Sequence, residues 1–359
     1  MPVEFVGGLF PRNQLAPRQA YGAPLDLTYL RDLARAHEHA GFDRVLIASG
    51  GGDPATLAAY AAAHTEKLGF MIAHRPGLTP PVLAARAFAT LDQTTGGRIR
   101  LHAITGHAPE PEHGEHLLDK AERYARADEY LQIVRRTWSE DQPFDFEGKY
   151  FNIRNAYSPV KPLRKTGVPI SLGGSSDAAY QVAVRHTDLY ALWAEPLADT
   201  AARIAQLKAA ADAIGVTPPR VSLSVRLIIG ETEELAWQKA RHIVAQLERN
   251  YSGAKVPGRG GDHGQSGGGQ RQLALAARGE VFDKALFLGT SSAIGGGTDS
   301  TSLVGTPDTI IAALLAYADI GVTTFLNRGY DPLHDAIDYG RYIIPAVREE
   351  FRRRELAAA

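Results

Sequence analysis

The chain has 359 residues, with 39 lysines and arginines, 40 acidic residues and no cysteine. The balanced charge gives no indication of a nucleic-acid or charged-membrane partner, and the lack of cysteine excludes disulfides, thiolate metal sites and a cysteine nucleophile. No run approaches the roughly 18 apolar residues of a membrane span, and no secretory signal pattern opens the chain, so we expect a cytoplasmic protein.

Short apolar, β-branched runs alternate with helical patterns along the whole chain. The predicted strands are 3–10, 44–49, 69–74, 99–106, 170–174, 189–194, 221–230 and 322–328. The predicted helices are 27–40, 54–65, 80–94, 117–138, 177–186, 198–214, 232–249, 307–318 and 333–351. Eight alternating units favour a single (β/α)8 TIM barrel over residues 1–359. The alternative is an open Rossmann-like sheet, which is disfavoured because no G-x-G-x-x-G follows the first strand.

Two segments interrupt this alternation. Residues 144–161 read as a small hairpin that turns at Glu147 and Gly148, inserted after the fourth helix. Residues 251–302 are rich in glycine and contain one predicted helix, 270–277. Long loops of this kind inside a domain are often lids or binding loops, so we predict a mobile flap over the barrel mouth. A surface insertion without a role is the alternative.

The stretch from Pro169 to Tyr180 combines a short strand, two glycines and a polar helix start. Gly173 and Gly174 allow close approach of a ligand to the backbone, and Ser175, Ser176 and Asp177 suit the first helical turn. The free N–H groups of such a turn and the helix dipole attract anions such as phosphate. An ordinary helix cap explains the same residues equally well.

In a barrel, functional side chains gather at the C-terminal ends of the strands. Those ends carry Ser49, His74, His102, Trp193, Arg226 and Tyr330, and they present no carboxylate pair placed for glycosidase chemistry. Alternation places Arg226 on the same strand face as Ser224 and away from Val225. That face is either the barrel interior or the helix shell, and a guanidinium in either place needs an anionic partner, which is an internal carboxylate or a ligand.

The segment His107–His116 holds three histidines and three glutamates and is the alternative chemical site. Imidazole and carboxylate groups suit zinc or iron, which would make the protein a metal-dependent barrel hydrolase. Pro109 and Pro111 make the segment an extended loop without helical H-E-x-x-H spacing, so a solvated charged loop is the favoured interpretation.

Taken together, these motifs resemble the bacterial luciferase-like flavin monooxygenases, and most closely the alkanesulfonate monooxygenase branch. The stretches that carry the resemblance, in order and at the family's spacing, are 40–49, 66–77, 84–99, 105–106, 122–130, 146–151, 172–177, 188–196 and 303–307. The resemblance implies a (β/α)8 barrel with insertions. It also implies reduced FMN supplied by a separate NAD(P)H:flavin reductase, O₂ as the oxidant, and a homodimer or homotetramer.

The resemblance also assigns residues to the flavin. The matching positions are Ser49, Gly50, His102, Arg123, Tyr124, Gly174, Ser175 and Ser176. Among these, His102 stands where the family places a polar residue at the flavin ring, and Arg123 with Tyr124 matches an Arg-Tyr pair near the phosphate. Ser175 or Ser176 matches the phosphate-binding serine.

On the substrate side, the resemblance implies catalytic roles for Arg226, His102, Trp193 and Tyr330. Arg226 matches the arginine that lies beside flavin and sulfonate in that branch. Three features depart from the branch: Ile228 replaces a histidine, residues 293–297 lack the loop arginine, and the cysteine after the second strand is missing. The expected substrate is therefore an anionic or polar organosulfur compound that undergoes C–S cleavage. A deazaflavin-dependent dehydrogenase on the same barrel is the alternative.

Overall fold

Eight parallel strands form a closed barrel, as the sequence predicts. The computed structural model describes residues 3–11, 24–48, 52–105, 118–251, 267–296 and 301–358. The strands in chain order are β1 Glu4–Leu9, β2 Arg44–Ile47, β3 Gly69–His74, β4 Ile99–Ala103, β5 Phe144–Glu147, β6 Asn152–Ala156, β7 Ile170–Gly173, β8 Leu189–Trp193, β9 Arg220–Ile229, β10 Val281–Phe282, β11 Leu286–Phe287, β12 Ser302–Gly305 and β13 Val322–Arg328.

The barrel runs in the order β9-β13-β1-β2-β3-β4-β7-β8, and a β8–β9 pairing closes it, which excludes the open sheet. The helices are α1 Leu27–His39, α2 Pro54–Ala62, α3 Pro81–Thr94, α4 Lys120–Ser139, α5 Asp177–His186, α6 Leu197–Asp212, α7 Glu233–Tyr251, α8 Gly267–Arg278, α9 Gly289–Ser292, α10 Pro307–Asp319, α11 Pro332–Asp338 and α12 Ile344–Ala358. A π-helical turn, Tyr339–Ile343, separates α11 from α12, where the sequence predicts one continuous helix. Strands β5 and β6 pair antiparallel and form the hairpin expected within residues 144–161. Among the described residues, no helix is both long and apolar enough to cross a membrane.

The N-terminal end of the barrel is filled by charges that pair with one another. Glu4 contacts Arg44 at 2.7 Å, Arg100 at 3.4 Å and Arg220 at 3.5 Å. An apolar layer lies next along the barrel axis and consists of Val6, Met71 and Leu326, with Leu46 packed against them. Because inward-facing residues alternate along each strand, the next inward positions on these strands lie at the C-terminal mouth.

Strand β9 is ten residues long and takes part in two different pairings. Its first half pairs with β8 and β13, whereas Arg226–Ile229 pairs with β12. Arg226 therefore lies where β9 leaves β8, with Arg328 of β13 in register on one side and Ser302 of β12 on the other. The strand carries the arginine to the rim of the mouth.

The stretch 251–302 has more regular structure than the single helix that the sequence predicts. Its described part contains α8, the antiparallel pair β10–β11, α9 and the start of β12. Phe287 is buried against Ile228 and Val304, and its ring packs edge-on to Trp237 at 5.4 Å. These contacts come from residues distant in the chain, so a local glycine-rich pattern does not reveal them. Its role as a flap stays a prediction.

Candidate functional site at the barrel mouth

The inner face of the mouth carries small side chains on several strands. A Cβ added to Gly173 would meet nothing closer than 3.6 Å, and its neighbours there are Ala191 and the edge of His102. Strand register sets Ala73 beside His102 and Ser224 beside Trp193. These small residues lie on the strands that also carry His102, Trp193 and Arg226 towards the mouth.

His102 is buried on β4 and is fixed by a hydroxyl of the neighbouring strand. Its Nδ1 lies 2.9 Å from Ser171 Oγ, and Ser171 in turn lies 3.4 Å from the carbonyl oxygen of Leu101. Burial, followed by the charge of Arg100, lowers the pKa of His102 to about 4. At neutral pH the ring is therefore uncharged and offers one donor and one acceptor.

Burial also lowers the pKa values of His37 and His74 to about 4, so three buried histidines are neutral in the folded protein. In the unfolded chain these histidines bind protons near pH 6.5, whereas in the folded protein they do so only near pH 4. The free energy of unfolding should therefore be highest above pH 6.5 and should fall as the pH drops towards 4. Each histidine contributes up to about 1.4 kcal/mol per pH unit.

The measurement is the pH dependence of urea unfolding for the wild type and for His37→Gln, a substitution in α1. Between pH 6 and 5, the free energy of unfolding of the variant should change less steeply with pH, by the equivalent of about one bound proton. Identical slopes in the two proteins would contradict a neutral His37.

Arg226 is 8% exposed and contacts a carbonyl and a ring rather than a carboxylate. Its Nη1 donates to the carbonyl oxygen of Gly329 at 2.9 Å, and its guanidinium lies 4.6 Å from the centroid of the Tyr330 ring. Its Nε has no hydrogen-bond partner among the described residues. The internal salt bridge considered from the sequence does not occur in the part of the chain that the structure describes. The buried charge therefore remains available to an anionic or electron-rich ligand.

Asp335 of α11 positions the segment that holds Arg226. Its buried carboxylate accepts a hydrogen bond from the backbone N–H of Asp331 at 2.7 Å and also one from that of Tyr330. A Cβ on Gly329 would overlap this carboxylate, so only glycine fits there. Burial raises the pKa of Asp335, and Lys239 at 3.8 Å opposes that shift. The carboxylate thereby fixes both the carbonyl and the ring that contact Arg226.

Trp193 and Tyr330 both lie at the mouth, where the sequence places them. The Trp193 ring stands under the first turn of α8, since a Cβ on Gly268 would lie 2.8 Å from it. The Tyr330 hydroxyl lies 3.3 Å from Ser302 Oγ, which links it to β12. Both aromatic rings therefore join the barrel to the 251–302 insertion.

The turn after β7 is built around Gly174. A Cβ on Gly174 would lie 2.6 Å from both the Tyr124 hydroxyl and the Cβ of Ala179, so α4 and α5 close tightly on this position. Tyr124 hydrogen-bonds Ser176 and Thr105, and burial raises the pKa of its hydroxyl. Ser176 caps α5, accepting from the backbone N–H of Ala179 at 3.4 Å. The helix start and two hydroxyls thus converge on one turn.

This turn has the donors that a phosphate group requires. Arg123, one residue before Tyr124, donates from Nη1 to the carbonyl oxygen of Leu118 at 2.7 Å. Its Nε is buried and has no hydrogen-bond partner among the described residues. Helix N-termini bind phosphate through free backbone N–H groups and the helix dipole. The residues therefore fit the phosphate of a flavin mononucleotide.

Some of the predicted site residues do not join this group. Ser49, Gly50 and the segment 107–116 lie outside the described residues. His74 faces the helix layer, where its Nε2 lies 2.7 Å from the Tyr130 hydroxyl, so it is a core histidine. Within the described ranges no cluster of three or more His, Asp or Glu side chains is arranged to hold a metal.

Four residues near the site were not assigned from the sequence: Ser171, Asp335, Lys120 and Arg271. Side-chain alternation along β7 could have placed Ser171 on the same strand face as Gly173, beside the strand that carries His102. Asp335 and Arg271 carry no such signal, because Lys239 and Glu195, the charged residues that pair with them, lie in other parts of the chain. Lys120 stands at the start of α4, where an exposed lysine is the ordinary expectation.

Comparison with known proteins identifies the family and the fold. Residues 6–324 match the family model described as luciferase-like monooxygenase. Similar solved structures include a riboflavin lyase with modified FMN and riboflavin, at 21% identity and a TM-score of 0.78, covering 98% of this chain and 92% of that one. An EDTA monooxygenase from Chelativorans sp. BNC1 matches at 19% identity and a TM-score of 0.76, with 98% and 94% covered.

A third similar structure is a coenzyme F420-dependent tetrahydromethanopterin reductase from Methanopyrus kandleri. It matches at 17% identity and a TM-score of 0.68, with 97% of this chain and all of that one covered. At these identities the structural matches establish the shared fold.

Proposed function

We propose, since the chain belongs to the luciferase-like monooxygenase family, that it is an oxidoreductase that binds reduced FMN at the barrel mouth and oxygenates a small organic substrate with O₂. The observation that carries the proposal is the pairing of two features at one end of the barrel. A tight turn at Gly174, which leads into the capped start of α5, stands on one side, and a buried guanidinium without a carboxylate partner among the described residues stands on the other.

The chain's own residues divide the work between these two sides. Ser175, Ser176, Tyr124 and Arg123 hold the phosphate, and His102 offers an uncharged polar edge to the ring system. When bound, the reduced flavin supplies two electrons to O₂, so that one oxygen atom enters the substrate and the other leaves as water. A separate flavin reductase delivers the reduced flavin.

Arg226 stabilises negative charge that develops on oxygen, because a fixed cation in a dry site needs no reorganisation during the reaction. The chemistry of Arg226 also supports a substrate class. A guanidinium favours oxygen-rich anionic or polar groups such as sulfonates and sulfones, whose oxygens accept its hydrogen bonds. Oxygen transfer to such a substrate is followed by cleavage of the C–S bond.

A deazaflavin-dependent dehydrogenase is the second candidate. The structural match to a coenzyme F420-dependent reductase favours it, because that enzyme shares the fold and depends on a deazaflavin. The two candidates differ in chemistry, since hydride transfer to or from a deazaflavin needs no O₂.

The test is a coupled assay with a flavin reductase, NADH, FMN and a panel of sulfonates, sulfones and thioethers. We expect substrate-dependent release of sulfite or sulfinate together with an aldehyde, with one O₂ consumed per product. Oxidation of an alcohol with reduced F420 formation under argon would instead identify the dehydrogenase. A protein that oxidises no member of the panel but consumes O₂ only to form peroxide contradicts the substrate class.

A further inference from the structure

The first turn of α8 brings two cations and a hydroxyl together beside the turn at Gly174. A Cβ on Gly267 would stand 3.4 Å from Lys120 Nζ, 3.7 Å from Arg271 Nη1 and 4.0 Å from Ser175 Oγ. These three side chains come from α4, α8 and the turn after β7, which are far apart in the chain. Their polar atoms therefore surround one small region that local sequence does not define.

Carboxylates of the described residues do not balance the positive charges of Arg271 and Lys120. Among the described residues, Arg271 has one carboxylate partner, Glu195, which lies 2.7 Å from its Nε, and its Nη1 donates to the carbonyl oxygen of Gly267 at 2.7 Å. Glu195 is 3% exposed and shares its charge with Arg203 at 3.3 Å. One carboxylate thus faces two guanidinium groups, and Lys120 adds a further positive charge.

A buried hydroxyl stands in the same region. The Tyr190 hydroxyl is fully buried and has no hydrogen-bond partner among the described residues. It lies near enough to Tyr124 and Arg271 for both to influence its pKa, which burial raises. A buried hydroxyl without a hydrogen-bond partner destabilises the folded protein unless a ligand or a water molecule supplies the missing hydrogen bond.

We propose that Lys120 and Arg271 form, with Ser175, a second half of the phosphate site, so that α8 of the insertion selects a flavin with a terminal phosphate dianion over one without. The proposal rests on the proposed function, because it assigns the phosphate of that same flavin. Glu195 holds Arg271 in place, and the phosphate supplies the negative charge that the cluster lacks. The insertion thereby takes part in cofactor choice.

The experiment compares the affinities of reduced FMN and reduced riboflavin, measured by anaerobic quenching of protein fluorescence. The wild type should bind reduced FMN at least about thirtyfold more tightly. Lys120→Met and Arg271→Met should each weaken FMN binding about tenfold and leave riboflavin binding within about twofold. Arg278→Met on the same helix is the matched control, because its side chain is exposed and pairs with Asp199 instead.

The ratio of the two affinities separates a phosphate contact from a structural one. If Arg271 and Lys120 only hold α8 in place, both flavins lose affinity together and the ratio stays at its wild-type value, which overturns the inference. Arg271→Lys, which keeps the charge, should restore part of the preference for FMN. Higher salt should weaken FMN binding and spare riboflavin binding. If the wild type binds neither flavin, the proposed function itself fails.

Discussion

Substitution of Arg226 by alanine should lower the rate of substrate oxygenation by about a hundredfold or more, with reduced-FMN affinity changed by no more than a few-fold. The guanidinium is buried, is fixed by the Gly329 carbonyl and the Tyr330 ring, and has no carboxylate partner in the described part of the chain. A positive charge fixed in this way has its largest effect when it stabilises negative charge that develops during the reaction. Steady-state rates at saturating substrate, with FMN binding measured separately, give the result.

Arg220→Lys is the matched control for this prediction. Arg220 lies on the same face of the same strand at the opposite end of the barrel, where it pairs with Glu4 at 3.5 Å. The control should keep wild-type turnover. An Arg226→Ala protein that folds, binds flavin and turns over at the wild-type rate would remove Arg226 from the chemistry.

A methyl group at Gly174 should abolish tight flavin binding and lower the free energy of unfolding by about 1–3 kcal/mol. The added Cβ would lie 2.6 Å from the Tyr124 hydroxyl and from the Cβ of Ala179, closer than packed atoms approach. The turn and the tyrosine must therefore move apart, and the phosphate donors lose their alignment. Urea unfolding and anaerobic FMN titration of Gly174→Ala measure the two effects.

Gly173→Ala provides the control for stability, because its Cβ would meet nothing closer than 3.6 Å. We expect its free energy of unfolding to stay within about 1 kcal/mol of the wild type. Tyr124→Phe separates crowding from hydrogen bonding, since it removes only the hydroxyl and should weaken FMN binding about tenfold in a stable protein. Tight FMN binding by Gly174→Ala would show that the phosphate lies elsewhere.

The barrel was predictable from sequence because each of its strands carries a local signal. A short apolar run such as Ile170–Gly173 with a helix start after it identifies one βα unit, and eight such units leave few other folds. Alternation along β9 also grouped Arg226 with Ser224 and apart from Val225, but it did not decide whether that face is the barrel interior or the helix layer. These inferences depend on periodicity and on turn residues, and both can be identified within short stretches of the sequence.

The insertion and the second cation pair were not predictable in the same way. Phe287 is ordered by Trp237 and Ile228, and Arg271 by Glu195, so their structure depends on contacts between distant parts of the chain. The glycines around α8 have low helix propensity, and tertiary packing outweighs it. The acid that fixes the Arg226 site, Asp335, gives no sign of its role until α11 and the end of β13 are packed together.

Anaerobic titration of the protein with reduced FMN, followed by quenching of tryptophan fluorescence, tests the central claim most directly. Trp193 ends β8 at the mouth, next to Ser224 of β9, so its fluorescence should change when a flavin binds there. The account predicts saturation at one flavin per chain with micromolar affinity, and weaker binding by Gly174→Ala. No binding of reduced FMN at micromolar concentrations, or tight binding of reduced coenzyme F420 in its place, would contradict it.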